Sequence, residues 1–156
     1  MGSAVFNLSN VFACDDGTTL AVSGKINREL ETKDGLYCFS FNEILNLPQR
    51  TVVTQTAWTK KSVYIGPSIL DVLHRVGGYG TAVEVIAEND YSYTIAIDDF
   101  KKYNPILAYK KDGKHFTRAD FGPLFLIYPR DDYPDELSLP TARAKFVWNV
   151  YRLVVQ

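Results

Sequence analysis

Apolar and polar positions alternate in short bursts along this chain, so strands rather than long helices dominate the expected secondary structure. "TTLAVSGKI", Thr18 to Ile26, alternates loosely and runs into the polar segment Asn27 to Gly35, which suits a surface loop. "LYCFSF" reads as a second strand, and "NEILNLP" as a helical turn closed before Pro48, because proline disfavours helical backbone in the residue ahead of it. "VVTQTAWT", Val52 to Thr59, begins as a strand and then sets a tryptophan among three threonines. That tryptophan is either a core filler or the wall of a site.

One helix stands out. In "PSILDVLHRVGG", Pro67 to Gly78, residues Ile69, Val72, Leu73 and Val76 recur at the spacing of a single buried face. Pro67 suits the first turn, Asp71 lies towards the positive end, His74 and Arg75 towards the negative end, and Gly77 can take a left-handed cap.

The second half is more strongly β. "AVEVIAE" leads through Asn89-Asp90 into "YSYTIAI", whose Tyr91, Tyr93, Ile95 and Ile97 share one face of a strand, and the intervening pair predicts a hairpin. "DDFKKYN" is a short helical turn with Asp98-Asp99 as its expected cap. "ILAYKKDGKHF" predicts a hairpin tipped by Asp112-Gly113, and "PLFLIY" a strand buried on both faces. "FVWNVYRLVV" closes the chain with Phe146, Trp148 and Val150 on one face.

With no internal repeat or linker, this pattern predicts one α+β domain over residues 18–156. Its core is expected to be a mixed, mainly antiparallel sheet, or a barrel-like arrangement, with a few short helices. Residues 1–17 form an N-terminal segment in which Met1 to Ser3 read as a vector-derived leader, since Met1 is the only methionine and Gly-Ser follows it. On that reading the native start is missing, and the lack of a signal peptide does not argue for the cytoplasm.

Composition narrows the partners. A chain of 156 residues can bury roughly 70% of its unfolded surface without staples. Its 17 basic and 18 acidic residues leave a formal charge of −1, which gives no electrostatic basis for nucleic-acid binding or an anionic membrane. No apolar run approaches the roughly 18 residues needed to span a bilayer. Cys14 and Cys38 are too few and too far apart for a zinc site. In an oxidising compartment they could form one disulfide, worth roughly 3 kcal/mol by loop closure; otherwise they are free thiols.

The commoner catalytic arrangements have little support. With only His74 and His115, and no Gly-x-Ser-x-Gly, a Ser-His-Asp hydrolase is not indicated. "GGYG", Gly77 to Gly80, follows a helix instead of preceding one, so it reads as a cap and turn rather than a phosphate cradle. No His, Cys and carboxylate cluster suggests a metal, and the pairs Asp15-Asp16, Asp98-Asp99 and Asp131-Asp132 suit caps and solvated turns.

What remains is a set of polar residues at strand ends. Thr54, Thr56, Trp58 and Thr59 form one group and Asn89, Asp90 and Tyr91 a second. Arg118 and Asp120 come next, then Tyr128, Arg130 and Asp131. Each alone has a structural explanation as a strand face, a turn or a loop ion pair.

In combination they form a recognisable order: "TQTAW", "GP" ahead of an amphipathic helix, "NDY", "ILAYKKDGK", "RADFGPLFLIYP" and a closing Trp strand. This order resembles the molybdopterin-binding oxidoreductase domain, the fold shared by sulfite oxidase and the catalytic subunit of methionine-sulfoxide reductase. It is most similar to the short, stand-alone, exported bacterial members. The resemblance runs from about Leu20 to Val155.

The resemblance implies a periplasmic or secreted protein and a cofactor site, but it departs at one decisive position. In catalytic members a cysteine thiolate binds molybdenum, a soft ligand for a redox metal. In the reductase branch that cysteine lies four residues ahead of a tryptophan, and counting back from Trp58 reaches Thr54. A threonine hydroxyl ionises far above neutral pH and cannot replace the thiolate. Family members hold the pterin phosphate with basic residues near the last strand, and Arg143 and Lys145 lie in loose register with these; Arg118 and Arg130 are further anion partners.

Two readings follow. The first is a non-catalytic exported module in which Trp58, Thr56 and Thr59 face Asn89, Asp90 and Tyr91 across a pocket for a small polar or anionic ligand, or which engages a membrane sensor protein. The second is a molybdopterin-dependent oxidoreductase or accessory subunit that holds its cofactor without a cysteine ligand.

Overall fold

A computed structural model describes residues 14–30 and 32–156; the expected leader, Met1 to Ser3, lies outside the described residues. In chain order the strands are β1 (Thr18–Gly24), β2 (Tyr37–Ser40), β3 (Gln49–Thr54), β4 (Ser62–Pro67), β5 (Ala82–Ala87) and β6 (Ser92–Ala96). They continue as β7 (Ile106–Ala108), β8 (Lys110–Lys111), β9 (Lys114–His115), β10 (Phe125–Ile127) and β11 (Val150–Val155). The helices are α1 (Phe41–Asn46), α2 (Ile69–Arg75), α3 (Ile97–Tyr103) and α4 (Pro134–Leu137), with 3-10 segments at Arg130–Asp132 and Pro140–Lys145.

The strands form a five-stranded sheet in the order β2-β1-β11-β5-β6, a four-stranded sheet β3-β4-β8-β9, and a β10-β7 pair. Every pairing is antiparallel except that of β1 with β11. The fold is thus α+β with mixed sheets and no closed barrel. A row of apolar side chains crosses the larger sheet where Val22 sits beside Leu153 and Leu153 beside Val85. All three are fully buried, each worth about 1.5–3 kcal/mol of apolar burial.

The helix over Ile69–Arg75 forms for the reasons its spacing gave. Ile69, Val72, Leu73 and Val76 are buried, and Gly77 adopts φ +63° just beyond the end. Its start differs from expectation. Pro67 is the last residue of β4, and Ser68 caps the helix by accepting a hydrogen bond from the Leu70 N–H at 3.2 Å. Likewise Asp98 and Asp99 do not cap α3: its cap residue is Ala96, and the two aspartates lie in its first turn. The Asp112-Gly113 hairpin forms with positive φ at both positions, and β5 and β6 join through Asn89-Asp90 as the pattern indicated.

The terminal strand is shorter than its alternation suggested. It begins at Val150, because Asn149 takes a left-handed conformation, φ +54°, that breaks the extended run. Phe146 to Asn149 therefore form an irregular connection. Cys14 and Cys38 are joined in a disulfide with Cα atoms 5.9 Å apart, which ties the segment before β1 to β2.

Candidate functional site

A cleft of about 450 Å³ opens where the loop after β3, the β5–β6 turn and the segment before β11 converge. Trp58, Asn89, Tyr91, Arg143, Phe146 and Trp148 supply its larger side chains. Ala87, Pro140, Ala144 and Val147 complete it with apolar surface. Its size falls in the ordinary range for small-molecule sites.

Contrary to expectation, Thr56 and Thr59 do not line the cleft; they hold the turn that presents Trp58 to it. The Thr56 hydroxyl accepts hydrogen bonds from the backbone N–H groups of Trp58, at 3.1 Å, and Thr59, at 3.0 Å. It also meets the Thr59 hydroxyl at 2.8 Å, which in turn meets the Tyr64 hydroxyl at 2.5 Å. Tyr64 is fully buried, and burial is the main reason its pKa is raised. The hydroxyls are therefore engaged in holding a tight turn, with Trp58 left 43% exposed at its edge.

Trp58 rests edge-on against Trp148, with ring centroids 4.3 Å apart. Trp148 is fixed from behind by Phe121 at 5.7 Å and Phe125 at 6.2 Å. The backbone next to it is fixed too: the Asn149 N–H donates to the Phe121 carbonyl at 2.9 Å, and its side-chain amide donates to the Gly122 carbonyl.

Across the cleft, Asn89 holds the turn by accepting from the Tyr91 N–H at 3.1 Å, while Asp90 adopts φ +68°. Tyr91 is 46% exposed, and its hydroxyl reaches the Ala144 carbonyl at 3.5 Å, the outer limit of a hydrogen bond. Asp90 is exposed and does not line the cleft.

The basic candidates separate. Arg143, on the Pro140–Lys145 segment, is exposed at the cleft, and its guanidinium has no hydrogen-bond or ion-pair partner among the described residues. Lys145 is committed elsewhere, donating to Asp99 at 2.9 Å and lying over the rings of Tyr103 and Tyr128. Tyr128 is fully buried and donates to the other Asp99 oxygen at 2.7 Å; burial first, and Asp99 second, push its pKa up. Arg118 pairs with Glu88 at 3.4 Å beside a second cleft near the disulfide, and Arg130 donates to the Ser138 hydroxyl at 3.2 Å.

Thr54 lies outside the cleft and is fully buried. Its hydroxyl donates to Asp131 Oδ1 and accepts from the Asp131 N–H, both at 3.0 Å. Burial works against ionisation of Asp131. The Gln55 N–H, the Thr54 hydroxyl and Lys61, 3.5 Å away, outweigh it and hold the carboxyl below its ordinary range. Thr54 is thus a saturated structural link, and the groups around it do not fit a thiolate-held metal. Among the described residues, no group of three or more His, Cys, Asp or Glu could hold a metal ion.

Of the expected site residues the cleft brings together Trp58, Asn89, Tyr91 and Arg143, while Trp148, Phe146, Pro140 and Ala144, which also line it, were not among those expected. The signal available for Trp148 was scarcity: the chain has only two tryptophans, and they meet.

No protein-family model matches the chain. No curated protein matches it either. Among solved structures, it is similar to the sulfane dehydrogenase SoxCD from Paracoccus pantotrophus, at 14% identity and a TM-score of 0.64 over 93% of this chain. The chain spans about 40% of the length of that structure. At this identity the likeness shows a shared fold.

Proposed function

We propose that this chain is an exported, non-catalytic binding module on a molybdopterin-oxidoreductase fold, with the cleft between Trp58 and Tyr91 as its ligand site. One observation carries the reading: Trp58, Asn89, Tyr91 and Arg143, from distant parts of the chain, line one cleft of ligand size. Two further points support it. Thr54 is engaged by Asp131 and has no metal-binding chemistry to offer, and the Cys14–Cys38 disulfide suits an oxidising compartment such as the periplasm.

The likeness to a dehydrogenase favours a second reading, in which a pterin is retained without a cysteine ligand. Native mass spectrometry of the protein purified from its own host separates the two. A colourless protein, apo or carrying a small non-pterin adduct, with melting raised by ligand through mass action, is the expected result. A stoichiometric molybdenum-bearing pterin would overturn the proposal.

A further inference from the structure

We infer that the cleft takes a small aromatic monocarboxylate, its ring against Trp58 and its carboxylate on Arg143. This rests on the proposed site and adds the class of ligand.

Charge is the first ground. Three nearby cations are ion-paired within the protein, Lys145 with Asp99, Arg118 with Glu88 and Lys61 with Asp131, whereas Arg130 donates only to the neutral Ser138 hydroxyl and lines a smaller adjoining pocket with Arg143. Arg143 alone faces the cleft without such a partner among the described residues, and the cleft lining contains no carboxylate. Among the residues lining this cleft Arg143 is thus the one cation, and no lining carboxylate balances it. A monoanion matches that one lining charge. The planar guanidinium fork matches a carboxylate with two parallel hydrogen bonds.

Shape and polarity are the second ground. Trp58, Trp148, Tyr91 and Phe146 make the wall largely aromatic, and aromatic rings favour edge or offset contact with another ring. Trp148 packs against the Trp58 ring and the Thr56 hydroxyl anchors the Trp58 backbone, so the exposed edge is presented to the cleft without a ligand. Asn89 uses its oxygen on the Tyr91 N–H, and its amide nitrogen has no partner among the described residues. That nitrogen is the second donor available to a bound acid.

The test uses 4-fluorophenylacetate and its uncharged counterpart 4-fluorophenylacetamide, followed by fluorine NMR line broadening with the whole chain. The acid should bind at least about tenfold more tightly than the amide, the margin expected when a hydrogen bond gains a charge. Arg143→Gln should abolish that margin while leaving the near-ultraviolet circular dichroism unchanged, Arg143→Lys should restore part of it, and Trp58→Ala should weaken both probes. Equal binding of acid and amide, or an Arg143→Gln variant that binds the acid as wild type does, would overturn the ligand class yet leave the cleft as a binding site. Loss of both probes' binding in wild type would overturn the inference too. The broader reading would then stand or fall on the adduct found by native mass spectrometry.

Discussion

Trp58 and Trp148 meet edge to face at 4.3 Å, one at the rim of the cleft and one backed by Phe121 and Phe125. They are the only tryptophans in the chain, so intrinsic fluorescence reports on this one place. Trp58→Ala should cost under about 1 kcal/mol of stability, because the ring is substantially exposed, and should remove most of any ligand-induced fluorescence change. Trp148→Ala should cost about 2 kcal/mol, less than a fully buried aromatic but enough to lower the urea midpoint clearly. Equal losses for the two would show that they do not divide the work in this way.

The link between Thr54 and Asp131 makes a pH-dependent prediction. Asp131 has a depressed pKa in the folded state, so its contribution is complete above the unfolded aspartate value of about 3.9 and is lost as pH falls through the lower folded value. Wild type should be more stable than Asp131→Asn at pH 7, with the gap closing at strongly acid pH. Thr54→Val should cost about 1–2 kcal/mol, since it strips both hydrogen bonds from a buried position. Urea titrations across the acid range measure both effects.

A cysteine introduced at position 54 should not bring in a metal. Thr54→Cys places a thiol in a fully buried position, against Asp131 and outside the cleft. Elemental analysis of this variant, expressed in a host that makes molybdopterin, should find molybdenum far below one equivalent, as for wild type. Stoichiometric metal in the variant would mean that the loop can open to form a metal site.

Gly66 is a packing requirement of β4. A Cβ there would run into the backbone carbonyl of Leu107, which cannot swing aside as a flexible side chain could. Gly66→Ala should therefore destabilise by about 2 kcal/mol or more, measured by thermal or urea unfolding. Wild-type stability in this variant would show that β4 and β7 can separate without cost.

The disulfide closes a loop between residues separated by 24 positions. Cys38→Ser should cost about 3 kcal/mol, and reducing agent should lower the melting temperature of wild type but not of the variant.

Local chemistry was legible where it was self-contained. The helix of Ile69, Val72, Leu73 and Val76 could be read because its period is written in adjacent turns, and the Asp112-Gly113 hairpin because two residues determine it. Pro67 misled because a residue suited to a first helical turn serves equally well at the end of a strand. Asp98 and Asp99 misled because their type favours caps, while strand β6 continues up to Ala96 and fixes where α3 starts. The site was harder still. The hydroxyls of Thr54, Thr56 and Thr59 were candidates for a ligand, but their partners are Asp131, each other and Tyr64. A bond such as Thr54 to Asp131 depends on how the end of β3 packs against a 3-10 segment far along the chain, which no local pattern encodes.

The position of β11 bears on how the molecule is made. This strand lies in the interior of the larger sheet, between β1 and β5, although it occupies residues 150–155. A nascent chain that has not yet reached Val150 therefore holds two unpaired strand edges facing an empty slot, and Val22 and Val85 lack the leucine that lies between them. Cooperative folding must wait until synthesis of this domain is nearly finished. For a protein exported as proposed, that wait would keep this domain threadable until the ribosome has delivered almost all of the domain.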